Sequence, residues 1–254
     1  MSIIPVLDLM IGQVVLAQGG NRDAYRPVHS RLTTSSRPLE VAQAIFNQTG
    51  CDWLYLADID SFAGAAPNWN VHRELLDRGF GLWLDADWLT NDRYLDIAAQ
   101  LNPDRLKIII SSETISSRDQ FSVFSKLIDS GLSPIFSLDK KGDAIVSQSD
   151  WLTTPPALSP YELVQLAYQQ GVRDFIVLDL AEVGASNGFQ ASGSSALLAV
   201  EADRNSTFSQ RVVIAGSDVP SQNLSRNRAA SRSKAAVAAK AMSIWRSNRE
   251  LSEV

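Results

Sequence analysis

Pro5-Val6-Leu7-Asp8, followed by Gly12 and Val14, returns in the second half of the chain as Pro134-Ile135-Phe136-Ser137-Leu138-Asp139, followed by Gly142 and Val146. Each copy is a short, mainly apolar run that ends on an aspartate. Such a run suits a strand buried on both faces, with the aspartate at its C-terminal end. The echo continues downstream. Thr33-Thr34 is answered by Thr153-Thr154, Glu40-Val41-Ala42-Gln43 by Glu162-Leu163-Val164-Gln165, and Gln48-Thr49-Gly50 by Gln169-Gln170-Gly171. Asp58 and Asp179 lie at equal distances beyond those two glycines, each closing an apolar run. Ordered self-similarity over a half-chain period marks an internal duplication, with halves of about 1–131 and 132–254.

Working outward, apolar runs occur at 3–9, 53–59, 80–84, 106–110, 134–138, 175–180, 212–215 and 235–239. Between them, 39–48, 71–76, 94–101, 121–128, 161–169 and 195–202 carry apolar residues at helical spacing. Parallel strands covered by helices follow, either as a barrel or as an open doubly wound sheet. The strand ends separate the two. Seven runs lead into Asp8, Asp58, Asp85, Ser111, Asp139, Asp179 and Ser217 with Asp218, and Lys240 closes the eighth. A barrel gathers all its strand ends around one mouth, whereas an open sheet concentrates chemistry near a switch point. The expectation is a single (β/α)8 TIM barrel spanning 1–254.

The chain has 254 residues, 45% of them hydrophobic and 20% charged, with a net charge of −5. That length allows a large core, and the acidic balance offers no basic surface for a nucleic acid. Cys51 is the single cysteine, so neither a disulfide framework nor a cysteine metal site is expected. His29 and His72 are far apart and form no metal-binding spacing. Neither a signal-peptide pattern nor a run of ~20 apolar residues is present. The sequence thus predicts a cytoplasmic protein with a small-molecule substrate, no cofactor, and neither nucleic acid nor membrane as partner.

Asp8 and Asp139, ending strands one and five, should face each other across the mouth. Two such carboxylates can act as base and acid on one small substrate, with burial and mutual repulsion moving their pKa values apart. Asp58, Asp85, Ser111 and Asp179 are further mouth residues by the same logic. Asp58, Asp60, Asp85 and Asp87 suit helix caps and strand-end turns better than a hard-cation site. Trp88 and Trp151 are expected near the mouth. Two long polar segments follow strands one and five, 18–36 with Arg22, Asp23, Tyr25, Arg26 and His29, and 140–160. They stand where a barrel carries lids or substrate-binding groups.

These residues also carry a family resemblance. Ile3-Ile4-Pro5-Val6-Leu7-Asp8-Leu9 with Gly12 and Val14-Val15 resembles the opening of the HisA group, the phosphoribosylformimino-aminoimidazole carboxamide ribotide isomerases. Leu54-Tyr55-Leu56-Ala57-Asp58-Ile59-Asp60 is similar to their second strand, and Ser137-Leu138-Asp139 with Gly142 to their fifth. Ile176-Val177-Leu178-Asp179-Leu180 with Gly184 resembles the sixth, and Val213-Ile214-Ala215-Gly216 the seventh. The resemblance implies an Amadori aldose–ketose isomerisation, with Asp8 as base and Asp139 as assisting acid or orienting group. It also implies phosphate held by backbone N–H groups of glycine-rich turns, here Gly184, Gly216 and Ser217, with Lys240 adding charge.

The departures matter as much. Val183-Gly184-Ala185 stands where the family has Asp-Gly-Thr, and Asp85-Ala86-Asp87-Trp88 replaces glycines that approach a phosphate. Two anions there would repel a bisphosphate substrate. The pattern therefore resembles a divergent branch, like the HisA-like proteins that accompany tetrahydromethanopterin-linked one-carbon pathways in some bacteria. Two functions follow from it. One is acid/base isomerisation of a small sugar-like or phosphorylated substrate; the other is a binding or accessory protein that kept the barrel after losing that activity.

Overall fold

The computed structural model describes residues 4–16, 22–30, 32–91, 93–98, 100–141, 144–147, 149–150, 158–179 and 211–215. In chain order the strands are β1 (Val6–Met10), β2 (Gln13–Leu16), β3 (Arg26–Pro27), β4 (Trp53–Asp58), β5 (Gly81–Asp85), β6 (Leu106–Ser111), β7 (Ser133–Lys141), β8 (Ala144–Ile145), β9 (Asp174–Asp179) and β10 (Arg211–Ala215). The helices are α1 (Pro38–Thr49), α2 (Ile59–Phe62), α3 (Trp69–Asp77), α4 (Arg93–Ala98), α5 (Ser122–Asp129) and α6 (Pro160–Gln169).

Strands β1, β4, β5, β6, β7, β9 and β10 pair parallel, each with the next, in one sheet. The chain is therefore an α/β protein whose parallel strands lie in sequence order. β2 and β3 extend the β1 edge as antiparallel additions, and β8 folds back on β7. The seven expected runs from 3–9 to 212–215 are these parallel strands; the eighth, at 235–239, lies outside the described residues, as does the expected helix at 195–202.

Both faces of the sheet are buried, and side-chain alternation divides them. Leu7, Leu9, Leu54, Leu56, Leu82, Leu84, Ile108, Ile110, Phe136 and Val177 face the helices and meet Val41, Leu75, Phe124 and Leu163 in one core. The intervening residues Tyr55, Ala57, Trp83, Ile109, Ile135 and Ile176 form a second core among themselves. Ile4, Val15, Tyr25 and Ile59 of α2 join it from outside the parallel strands. Its side chains escape water by packing against one another, which requires the sheet to curve around them. The continuous apolar runs follow directly, since each strand must be hydrophobic on both sides.

Local signals set the helix boundaries. α1 and α6 both open on proline, Pro38 and Pro160, whose missing N–H costs nothing in a first turn. α6 adds a capping box between Ser159 and Glu162. After α1, Gly50 takes the left-handed conformation (φ 70°), and after α6 Gly171 does the same (φ 95°).

The N-terminal end of the inner face is packed with large aromatic and basic groups. The Lys107 ammonium binds Asp174 and lies 5.5 Å from the Trp83 ring centroid. Arg105 lies 5.0 Å from the Trp53 centroid and bonds Asp52 at 2.7 Å. The Trp53 ring covers Gly81 so closely that a Cβ there would collide with three ring carbons. Gly81→Ala should thus destabilise the fold by roughly 1–3 kcal/mol through overpacking. Urea unfolding of the two proteins checks this, and an unchanged midpoint would refute the close packing.

Candidate active site

Strand register decides which of the strand-end residues can meet. Asp8 pairs with Ala57 and Ala57 with Asp85, so Asp8 and Asp85 are both inward residues. Ile109 continues the row, and Ser111 follows two positions later on the same face. Ser111 pairs with Ser137, and Asp139 lies two positions beyond Ser137. β1, β5, β6 and β7 therefore deliver Asp8, Asp85, Ser111, Ser137 and Asp139 to the inner face at its C-terminal end.

Asp58 belongs to the other face. It pairs with Leu9, one residue out of step with Asp8, and that single step reverses the side chain. The carboxylate is fully buried on the helix side, where it accepts from the Asn68 N–H at 2.7 Å and the Asn68 amide at 2.9 Å. Its Oδ2 also lies 2.9 Å from Nε2 of buried His72. Burial pushes Asp58 upward, but His72 and Asn68 outweigh it and leave the pKa below the usual value. Asp58 is an anchor between β4 and α3, which corrects its placement at the mouth. Trp88 is likewise buried on the helix side, 6.0 Å from Trp69. Asp179 pairs with Lys140, while Leu178 pairs with Asp139. The Asp179 side chain, Trp151, Val183, Gly184, Gly216, Ser217 and Lys240 lie outside the described residues.

The inner carboxylates have unusual electrostatics. Burial raises Asp8 from 3.8 to about 6. Burial also raises Asp139 to about 7; the Ser137 hydroxyl, 2.7 Å from Oδ1, opposes the shift and Glu113 adds to it. Asp85 is pushed well above the usual carboxylate range by burial first, then by Asp139, against a hydrogen bond donated by Tyr55, with further repulsion from Glu113 and Asp8. These surroundings favour the protonated form of Asp85 over the anion that its sequence position suggested.

Tyr55 was not among the residues the sequence singled out. Its hydroxyl, fully within the inner face, feels Asp85, Asp139 and Asp8, and burial with these charges holds its pKa well above the usual tyrosine value. The signal was present as a tyrosine inside the apolar run Leu54-Tyr55-Leu56-Ala57, two positions from inward Ala57. Tyr25, from the segment after β2, also packs on the inner cluster. Its pKa is raised by burial and then by Asp8, with Arg22 opposing. Part of the long 18–36 segment therefore approaches Asp8.

The chain gathers buried carboxyl groups at the C-terminal ends of its parallel strands, the end at which barrels of this class form their sites. The histidine biosynthesis protein family model matches residues 2–242, and the chain belongs to that family, whose fold is the TIM barrel. The HisA-type resemblance holds at this level. An uncharacterized protein of Methanocaldococcus jannaschii is 39% identical over 75 residues, a match covering 30% of this chain and 33% of that protein. The chain thus matches about a third of that relative's length. No helix among the described residues is long and apolar enough to cross a membrane.

The raised pKa of Asp139 has a measurable cost. Its folded value of about 7 exceeds the ordinary 3.8, so the folded state holds the proton more tightly than the unfolded state. The associated stability is full below about pH 4 and is lost as pH rises through about 7, a change on the order of 4 kcal/mol. Asp139→Asn should therefore be more stable than wild type at pH 8, with the difference vanishing toward pH 4. Urea titrations across that range test it; equal stabilities at pH 8 would mean that Asp139 ionises without strain.

Proposed function

We propose that the chain is a HisA-type isomerase that moves protons within a small sugar-like or phosphorylated substrate. The observation that carries this reading is the placement of Asp8 and Asp139 on one inner face by strand register, each raised by burial toward neutral pH, to about 6 and about 7. Carboxyls in that range can take up and give back a proton near pH 7, with Asp8 as base and Asp139 as acid.

In an aldose–ketose rearrangement, Asp139 would protonate the carbonyl oxygen while Asp8 takes the proton from the adjacent carbon, which carries a hydroxyl. The enediol then collapses as Asp8 returns its proton to the former carbonyl carbon and the adjacent hydroxyl gives its proton back to Asp139, leaving the new carbonyl there. One bond order is moved, no electrons leave the substrate, and no redox partner is required. Tyr55 and Ser137 hold the acids in place, through Asp85 and Asp139 respectively.

The reading includes a single closed (β/α)8 barrel over 1–254, duplicated about 1–131 and 132–254, with the run at 235–239 as its closing strand. Gly184, Gly216 and Ser217 would then present backbone N–H groups, and Lys240 a positive charge, to a phosphate at one side of the mouth. Val183 provides no proton, so the substrate of the histidine pathway itself is not the one expected. An accessory protein without turnover, in one-carbon metabolism or elsewhere, is the second reading, and Val183 is the residue that favours it.

Solvent-deuterium incorporation beside the carbonyl of a panel of ketose phosphates, followed by NMR, tests the enzyme reading. Wild type should exchange one panel member, with kcat/KM highest between about pH 6 and about 7. Asp8→Asn should slow it by roughly 10²–10⁴-fold. An Asp8→Asn protein as active as wild type would refute the assignment, and complementation of an isomerase-deficient histidine auxotroph should fail.

A further inference from the structure

We infer that Asp85 and Ser111 form a subsite for an uncharged oxygen function of the substrate, a hydroxyl or a carbonyl. The two side chains occupy inward positions on neighbouring strands β5 and β6, with Ser111 two residues past the one that pairs with Asp85. Both are buried, at 9% and 3% exposure. One Asp85 oxygen, Oδ2, accepts the Tyr55 hydroxyl. The other, Oδ1, has no hydrogen-bond partner among the described residues; the Ser111 hydroxyl meets no strict hydrogen-bond geometry but lies near enough to Asp139 to lower that carboxyl's pKa. A buried carboxyl oxygen without a partner is costly unless a ligand or water meets it.

The charge surroundings decide what that ligand is. Asp139, Glu113 and Asp8 all raise the cost of a negative charge on Asp85. Among the described residues no group of three or more His, Cys, Asp or Glu side chains is arranged to hold a metal ion. These charges favour the protonated form of Asp85. Because Tyr55 donates to Oδ2, that proton belongs on Oδ1, the atom without a partner. The subsite then offers one O–H from Asp85 and a hydroxyl from Ser111 that can donate or accept. A neutral sugar oxygen satisfies both. A phosphate or carboxylate would meet the same carboxylates that keep Asp85 neutral. The inference deepens the isomerase reading and takes from it the sugar-like class of ligand; it places the polyol or carbonyl segment at β5 and β6.

Two measurements test it on the full chain. Infrared difference spectra at pH 7 between wild type and Asp85→Asn should contain the carbonyl stretch of a neutral carboxylic acid. Ribitol, as a neutral probe, should bind wild type by saturation-transfer NMR and weaken about tenfold in Asp85→Ala and in Ser111→Ala. Asp85→Asn, whose amide still donates, should stay within about threefold. Inorganic phosphate should bind all of them equally. Should Asp85→Ala fail to fold, Ser111→Ala carries the same readout. An ionised Asp85 at pH 7, no ribitol binding by wild type, or unchanged ribitol affinity in Ser111→Ala overturns the subsite. Failure of the isomerase reading shows elsewhere, as unaltered exchange in Asp8→Asn, and leaves the infrared band in place.

Discussion

Packing three aspartates onto the inner face of the sheet is the constraint from which most other features follow. Burial disfavours the charge on Asp8, Asp85 and Asp139 alike, and at Asp85 the charges of Asp139, Glu113 and Asp8 add to it. The protein meets this by giving them different environments. Asp8 is raised by burial alone, Asp139 is held by Ser137, and Asp85 accepts from Tyr55. Three chemically equal side chains thereby acquire different surroundings. Local burial that disfavours stability in this way is typical of sites kept for chemistry.

The rest of the fold supplies the rigidity that such an arrangement needs. Below the carboxylates, Tyr55, Trp83, Ile109, Ile135 and Ile176 fill the inner face. Lys107, Asp174, Trp53 and Arg105 pack its N-terminal end. On the outer side, Asp58 joins β4 to α3 through His72 and Asn68, and its depressed pKa shows that this charge is well satisfied. Asp58 and Asp8 make an instructive contrast. They end equivalent strands, yet burial is outweighed by partners that lower the pKa of one, and burial alone raises that of the other.

The strand and helix pattern was legible because each parallel strand is buried on both faces, so continuous apolar runs such as 106–110 stand out in the chain. The inward placement of Asp8 and Asp139 was equally legible from the repeated strand that ends on each. Asp58 was not, since a one-residue offset in register has no signature in composition. Nor was the state of Asp85. Its formal charge suggested repulsion, and only the convergence of Tyr55, Asp139 and Glu113 from other parts of the chain favours its neutral form. Long-range neighbours determine both properties, and those are what a linear reading lacks.

The central claim is that the inner aspartates have been driven to separate ionisation states by where the strands place them. Carboxyl-carbon NMR of aspartate-labelled protein, titrated between pH 3 and 9 and assigned through Asp8→Asn, Asp85→Asn and Asp139→Asn, measures this directly. The account expects Asp8 to titrate near 6, Asp139 near 7, and Asp85 to remain protonated at neutral pH. Three carboxyls titrating together near the ordinary value of about 4 would contradict it.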